Sequence, residues 1–177
     1  LLIFSTVAAI LFYLPVVQTR VGKLATNYLK TEFDVDINVK KVDLSLLGKV
    51  PLKQVLIRNH HADTLIFVDN LTTSIISFKK LIDGKPDFGQ IALEKFILNI
   101  KTYKGENDDA LTVFVDKFDD GTVSDKPSGF LLTTTRLKLE EGYVEVVDDN
   151  FPTDLPVFFK NISGSAKNFR IEGPNVT

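Results

Sequence analysis

Apolar and polar residues alternate along most of the chain from Asp36 onward, and the alternation slips at recurring places. In residues 36–46, DINVKKVDLSL, apolar side chains occupy Ile37, Val39, Val42, Leu44 and Leu46, with Lys40-Lys41 inserted between them. A period of two marks a β-strand with one buried face. Two consecutive polar residues would turn every later apolar side chain to the other face. A bulge or tight corner at the pair restores the register, so one face stays apolar throughout.

The same template recurs around Lys53-Gln54, Asp69-Asn70, Glu94-Lys95, Glu140-Glu141 and Lys160-Asn161. Asn59, Thr73, Gly142 and Gly164 are the misfits in apolar slots, and Phe169-x-Ile171 reads as the opening of a further copy. The copies are unevenly spaced, which suits a meander of long strands with insertions better than a strict solenoid. Leu47-Gly48-Lys49 reads as a short hairpin loop and residues 60–65, HHADTL, as a longer one. Ser77 can cap a short helix with Phe78, Leu81 and Ile82 on one face. Asp109 can cap another, where Leu111, Phe114, Val115 and Phe118 share a face. Residues 119–129, DDGTVSDKPSG, have the composition of an exposed linker.

The first 34 residues follow a different pattern. Residues 1–17, LLIFSTVAAILFYLPVV, carry no charge. As a helix they would extend about 25 Å, a little short of the ~30 Å bilayer core. This segment reads as a transmembrane anchor cut at its start, with Leu2, Ile3, Phe4, Val7, Ile10, Leu11, Phe12 and Leu14 as its anchoring residues. A cleaved secretory segment and a buried helix are the alternatives. The chain contains no Met and begins Leu1-Leu2, so it reads as an internal piece of a longer protein. More apolar residues are expected before Leu1, with Lys or Arg further upstream. In residues 18–34, Val21, Leu24, Ala25, Tyr28, Leu29 and Phe33 form one helical stripe, with Arg20, Lys23 and Lys30 off it. This is an amphipathic juxtamembrane helix, lying at the membrane interface or packed on the domain that follows.

The expected fold is therefore mainly β. Two N-terminal helices precede a curled, mostly antiparallel sheet with one or two short helices, starting at residue 35 and continuing beyond 177. Such a sheet has an apolar face to cover, and the helical pieces can cap an end of it but not roof it. The missing C-terminal chain covers the face, the sheet curls on itself, or the face is left for an apolar ligand. The candidate lining residues are Ile37, Val39, Val42, Leu44, Leu46, Val55, Ile57, Ile66, Val68, Leu71, Ile91, Leu93, Phe96, Leu98, Ile100, Leu137, Leu139, Val144, Val146, Phe159 and Ile162.

Composition narrows the chemistry. Lys+Arg 21 against Asp+Glu 23 gives a net charge of −2 over 177 residues, which is no footprint for a nucleic-acid binder. The absence of cysteine excludes disulfides, thiolate zinc sites and cysteine nucleophiles. His60-His61-Ala62-Asp63 is the sole histidine cluster. Adjacent residues of an extended chain point to opposite faces, so a polar turn is expected there rather than a metal site. Asp116, Asp119, Asp120 and Asp125 match no calcium-loop spacing and read as a solvated acidic loop. There is no phosphate loop and no nucleophile motif. No catalytic residue, metal or cofactor is expected, and the chain reads as a non-enzyme.

The segments QTRVGKLATNYLKTEF, DINVKKVDLSLLGKVPLKQVLIRNHHADTLIFVDNL, SFKKLIDG, LNIKTYKGENDDALTVFVDKF and NFRIEGPNV resemble the N-terminal part of the AsmA-like family, in its TamB branch. The resemblance covers nearly the whole chain. It implies an inner-membrane anchor and a long periplasmic β-groove, U-shaped with an apolar inside. It further implies transport of phospholipid toward the outer membrane, with acyl chains as the ligand. The alternative it carries is a scaffold for outer-membrane protein assembly or secretion, working with an outer-membrane barrel partner. It supplies no catalytic residues.

Overall fold

The computed structural model describes residues 27, 30–31, 34–43, 49–75, 87–117, 131–172 and 175–176. The expected anchor over 1–17, the stripe residues of 18–33, Leu44, Leu46, the Ser77-capped helix and the 119–129 linker lie outside these. Asn27, Lys30 and Thr31 are helical and exposed. No helix among the described residues is long and apolar enough to cross a membrane.

The chain forms strands β1 (Asp36–Val42), β2 (Lys49–Arg58), β3 (Thr64–Ile75) and β4 (Asp87–Thr102), helix α1 (Ala110–Asp116), then β5 (Leu131–Asp148), β6 (Val157–Glu172) and β7 (Asn175–Val176). They make one sheet in sequence order, β1 to β7, with β1 and β7 at its edges. Neighbours pair antiparallel except β4 and β5, which run parallel. A parallel neighbour needs a long crossover, and the chain from residue 103 to 130, which contains α1, supplies it. The sheet is thus mixed, although mostly antiparallel as expected.

Two boundaries differ from the sequence pattern. Thr64 and Leu65 belong to β3 rather than to the loop. Leu65 is fully buried, and the Thr64 carbonyl accepts a hydrogen bond from Asn99 Nδ2 at 3.0 Å. Phe169 and Ile171 open no new strand. They continue β6, pairing with Thr134 and Leu132.

Helix α1 starts where its capping residue predicts. Asp109 has extended backbone, and its Oδ1 accepts from the N–H groups of Leu111 and Thr112 at 2.8 and 2.9 Å. That satisfies two of the donors a helix start leaves free. Lys117, just past the helix, donates to the carbonyl of Asp34 at 2.6 Å and to its Oδ2 at 2.8 Å. This pins α1 to the start of β1.

Four of the six polar pairs turn the backbone left-handed, while Lys40-Lys41 and Asp69-Asn70 do not. Gln54, Lys95, Glu141 and Asn161 adopt φ of 52°, 53°, 53° and 57°. Each is the second residue of its inserted pair. A left-handed residue turns the side chains over once more and so cancels the face reversal. Pairing stays one-for-one through Gln54 and Lys95, so these are bends with no extra residue, and along the crease the register shifts only between β5 and β6. The register places these steps side by side. Lys40 faces Gln54 between the pairs Val39–Val55 and Lys41–Lys53, and Gln54 faces Asp69. Asp69 faces Lys95, and Lys95 lies beside Glu141. On β6 the step falls slightly further on, at Asn161, and the β5–β6 register shifts twice there. A single crease therefore crosses the sheet from β1 to β6.

Candidate functional site

Because each strand resets at the same crease, the apolar slots line up across the strands. Ile37, Ile57, Ile66, Leu98, Val144 and Phe159 form one unbroken row of cross-strand partners. Beyond it, Val39, Val55, Val68 and Phe96 form a second row, which Ile162 continues past Gly142. Across the crease Val42, Leu52, Leu71, Leu93 and Leu139 form a third, ending at Gly164. Thr73, Ile91, Leu137 and Ala166 continue a fourth from Val50. Ile100, Val146 and Val157 make a short fifth. The rows run perpendicular to the strands. At about 4.8 Å per strand, six strands carry a row of about 24 Å.

The centre of this face is sealed and its flanks are not. Val55, Val68 and Phe96 are buried, and Ile37, Val39, Leu52, Ile66, Leu71, Leu93, Leu139, Val144 and Ile162 pack against them while staying partly exposed. Val42, Ile57, Ile91, Leu98, Ile100 and Leu137 are also half-buried. Exposure rises toward β6: Val146 on β5 is 38 % exposed, and Val157 and Phe159 on β6 are 54 % and 55 % exposed. Every candidate lining residue among the described residues thus lies on this one face. The same face includes Val50, Leu52 and Val157, which fit the sequence template and add to the candidate lining residues. Phe151 and Leu155 in the β5–β6 turn are exposed as well.

Two features depart from the expected single apolar face. Leu56, Phe67, Ile97 and Tyr143 form a half-buried row on the opposite face. Thr73, in the fourth row, is buried, and its hydroxyl has no hydrogen-bond partner among the described residues. The hollow at the crease, about 490 Å³, is edged by Glu94, Lys95, Lys138, Glu140 and Glu141 together with Leu139 and Gly164, so its lining is mixed.

A separate polar cluster sits at one end of the sheet. His60 and His61 do not diverge as an extended chain requires, because residues 59–63 turn. Asn59 Oδ1 accepts from the N–H groups of His61 and Asp63, both at 3.0 Å, and Ala62 has φ of 65°. In that turn both imidazoles reach Glu106. His60 Nε2 lies 2.9 Å from Oε2 and His61 Nε2 lies 2.6 Å from Oε1. Hydrogen bonds from His61 and then His60 hold the Glu106 carboxyl below its ordinary range. Tyr103 donates to Asp63 Oδ2 at 2.6 Å and accepts from Asn59 Nδ2 at 2.8 Å. Burial, and then the bond to Asp63, push the Tyr103 phenol up to about 12. The periodicity of the sequence carried no sign of this cluster, since Glu106 lies 45 residues from His61.

Comparison of the chain with protein-family models, with curated proteins and with solved structures finds no match.

Proposed function

We propose that this sheet is the membrane-proximal part of an apolar groove that carries phospholipid acyl chains, in a non-enzymatic protein of the AsmA-like type. In this reading residues 1–17 anchor the chain in the inner membrane, residues 18–34 lie near its surface, and the sheet stands in the periplasm. The observation that carries the proposal is the alignment of apolar residues in rows across six strands, half-buried along most of their length. A row of about 24 Å exceeds one leaflet of a ~30 Å hydrocarbon core. An acyl chain laid along the rows would replace water on Ile57, Leu98, Val144 and Phe159, at roughly 0.8 kcal/mol per buried methylene. The crease suits this arrangement, because it bends β2, β4, β5 and β6 at nearly one level while the apolar rows continue on one face.

A scaffold for outer-membrane protein assembly, acting with an outer-membrane barrel partner, is the second reading. The buried centre at Val55, Val68 and Phe96 favours it, since a filled centre leaves less room for a ligand. Photo-crosslinking residues placed at Leu98 and at Lys138, on opposite faces of the sheet, distinguish the two. Mass spectrometry should find phospholipid adducts at position 98 and few at 138. Equal adducts at both positions, or none at 98, would remove the lipid reading.

A further inference from the structure

We propose that His60, His61 and Glu106 form a binding site for a late first-row divalent cation, zinc or copper, independent of the apolar face. The three donor atoms lie within 4.8 Å of one another. Around zinc, bond lengths of 2.0–2.2 Å place tetrahedral ligands about 3.3 Å apart. The present Nε2–Oε separations of 2.9 and 2.6 Å are both shorter than that, so small side-chain rotations that move each imidazole slightly away from the carboxylate admit the ion between them. Two imidazole nitrogens and one carboxylate oxygen suit zinc or copper. They do not suit magnesium or calcium, which take oxygen ligands.

The donors are held by structure outside the triad. The His61 ring stacks on Tyr103 with centroids 3.7 Å apart, and His60 meets the Tyr103 edge at 5.6 Å. Asn59 fixes the histidine turn through the two backbone N–H groups described above. On the other side, Asn150 Oδ1 accepts from the N–H of Gly105 at 2.7 Å, and its Nδ2 donates to the Glu106 carbonyl at 2.9 Å. Gly105 has φ of 87°, which only glycine adopts freely. Two loops are therefore positioned before any cation arrives, and such support of the ligands is what a metal site needs. The side chains are 25 %, 41 % and 33 % exposed, so a hydrated ion can enter and keep water in its remaining positions. A bound cation would tie the β2–β3 turn to the loop after β4.

Isothermal titration of the purified protein with zinc chloride, paired with the visible absorption spectrum of a cobalt(II) complex, tests the site. One equivalent should bind with submillimolar affinity, and cobalt should show four- or five-coordinate bands. His60→Ala, His61→Ala and Glu106→Gln should each weaken zinc binding at least about tenfold, a loss of about 1.4 kcal/mol. Circular dichroism checks that each variant stays folded. His61→Gln, which keeps much of the ring's bulk, replaces any alanine variant that unfolds and should weaken zinc binding by a similar factor. Absence of zinc heat, six-coordinate cobalt only, or binding unchanged in the folded His60→Ala and Glu106→Gln variants would overturn the site.

Discussion

The ring of Phe96 lies directly over the backbone of Gly142. A Cβ at position 142 would come within 2.1 Å of Phe96 Cζ and 2.2 Å of its Cε1. The two residues are neighbours across the parallel β4–β5 pair, on the apolar face. Gly142 leaves a gap in the second row and Phe96 fills it, as aromatic side chains do over strand glycines. Gly142→Ala should therefore destabilise the sheet by about 1–3 kcal/mol through overpacking. Phe96→Leu in the same chain should recover part of that loss, because the smaller side chain frees the space. Chemical denaturation of the two single variants and the double variant measures the coupling. Additive effects would refute the contact.

Gly164 presents the opposite situation, since nothing lies within 4 Å of a Cβ built there. It ends the third row beside Leu139. Gly164→Val should be neutral or stabilising by up to about 1 kcal/mol, from β-propensity alone. A loss of more than that in denaturant titration would mean that this end of the row is covered.

The crease makes a prediction of its own at Lys95, whose φ is 53°. Lys95→Gly should leave stability unchanged or raise it by under about 1 kcal/mol, because glycine adopts this conformation without steric cost. Lys95→Val should cost about 1–2 kcal/mol, as a β-branched residue is forced left-handed. Similar midpoints for the two variants would argue against a left-handed bend there.

Thr73→Val should stabilise the protein by about 1 kcal/mol. The substitution keeps the shape of the side chain and removes a buried hydroxyl that lacks a partner among the described residues. A drop in the unfolding midpoint would show that the hydroxyl is satisfied.

The link between α1 and β1 should loosen in acid. The hydrogen bond and charge of Lys117 hold the Asp34 carboxyl below its ordinary 3.8. A depressed carboxyl binds its proton less firmly in the folded chain than in the unfolded one. Its contribution is therefore full above about pH 3.8 and falls away as pH drops through the lower folded value. An NMR carboxyl titration should find Asp34 below 3.8 in the native protein and return it toward 3.8 in Lys117→Ala. Hydrogen exchange in α1 should quicken in Asp34→Asn at neutral pH.

The last prediction bears on function. Leu98→Asp and Ile57→Asp place a carboxylate within one apolar row. In a sealed core the penalty is several kcal/mol, comparable with a domain's whole stability of about 5–15 kcal/mol. On a half-open face the side chain reaches water and the penalty falls to about 1 kcal/mol. The groove reading expects normal abundance in the membrane fraction with a detergent-sensitive outer membrane. Degraded protein in both variants would mark the face as ordinary core.

The strands and the crease were readable because their causes are local. Alternation at period two, a polar pair that resets it and an Asp109 cap each act over a few residues, so β2, β4 and α1 follow the pattern closely. The positions of the bends follow from the same logic, since an apolar face survives two polar residues only where the backbone bends or bulges to reset it. Which strands become neighbours was not readable in this way. The β4–β5 pair runs parallel because a long crossover through α1 brings the chain back to its starting end, and no periodicity records that return. Thr73 and Gly142 look like defects in the sequence, yet one sits buried in a row and the other makes room for Phe96 from a different strand. The His60–His61–Glu106 cluster depends on two loops meeting across the sheet end. Side-chain direction in a turn is set by its hydrogen bonds rather than by alternation, so only the folded chain could bring both histidines to one carboxylate.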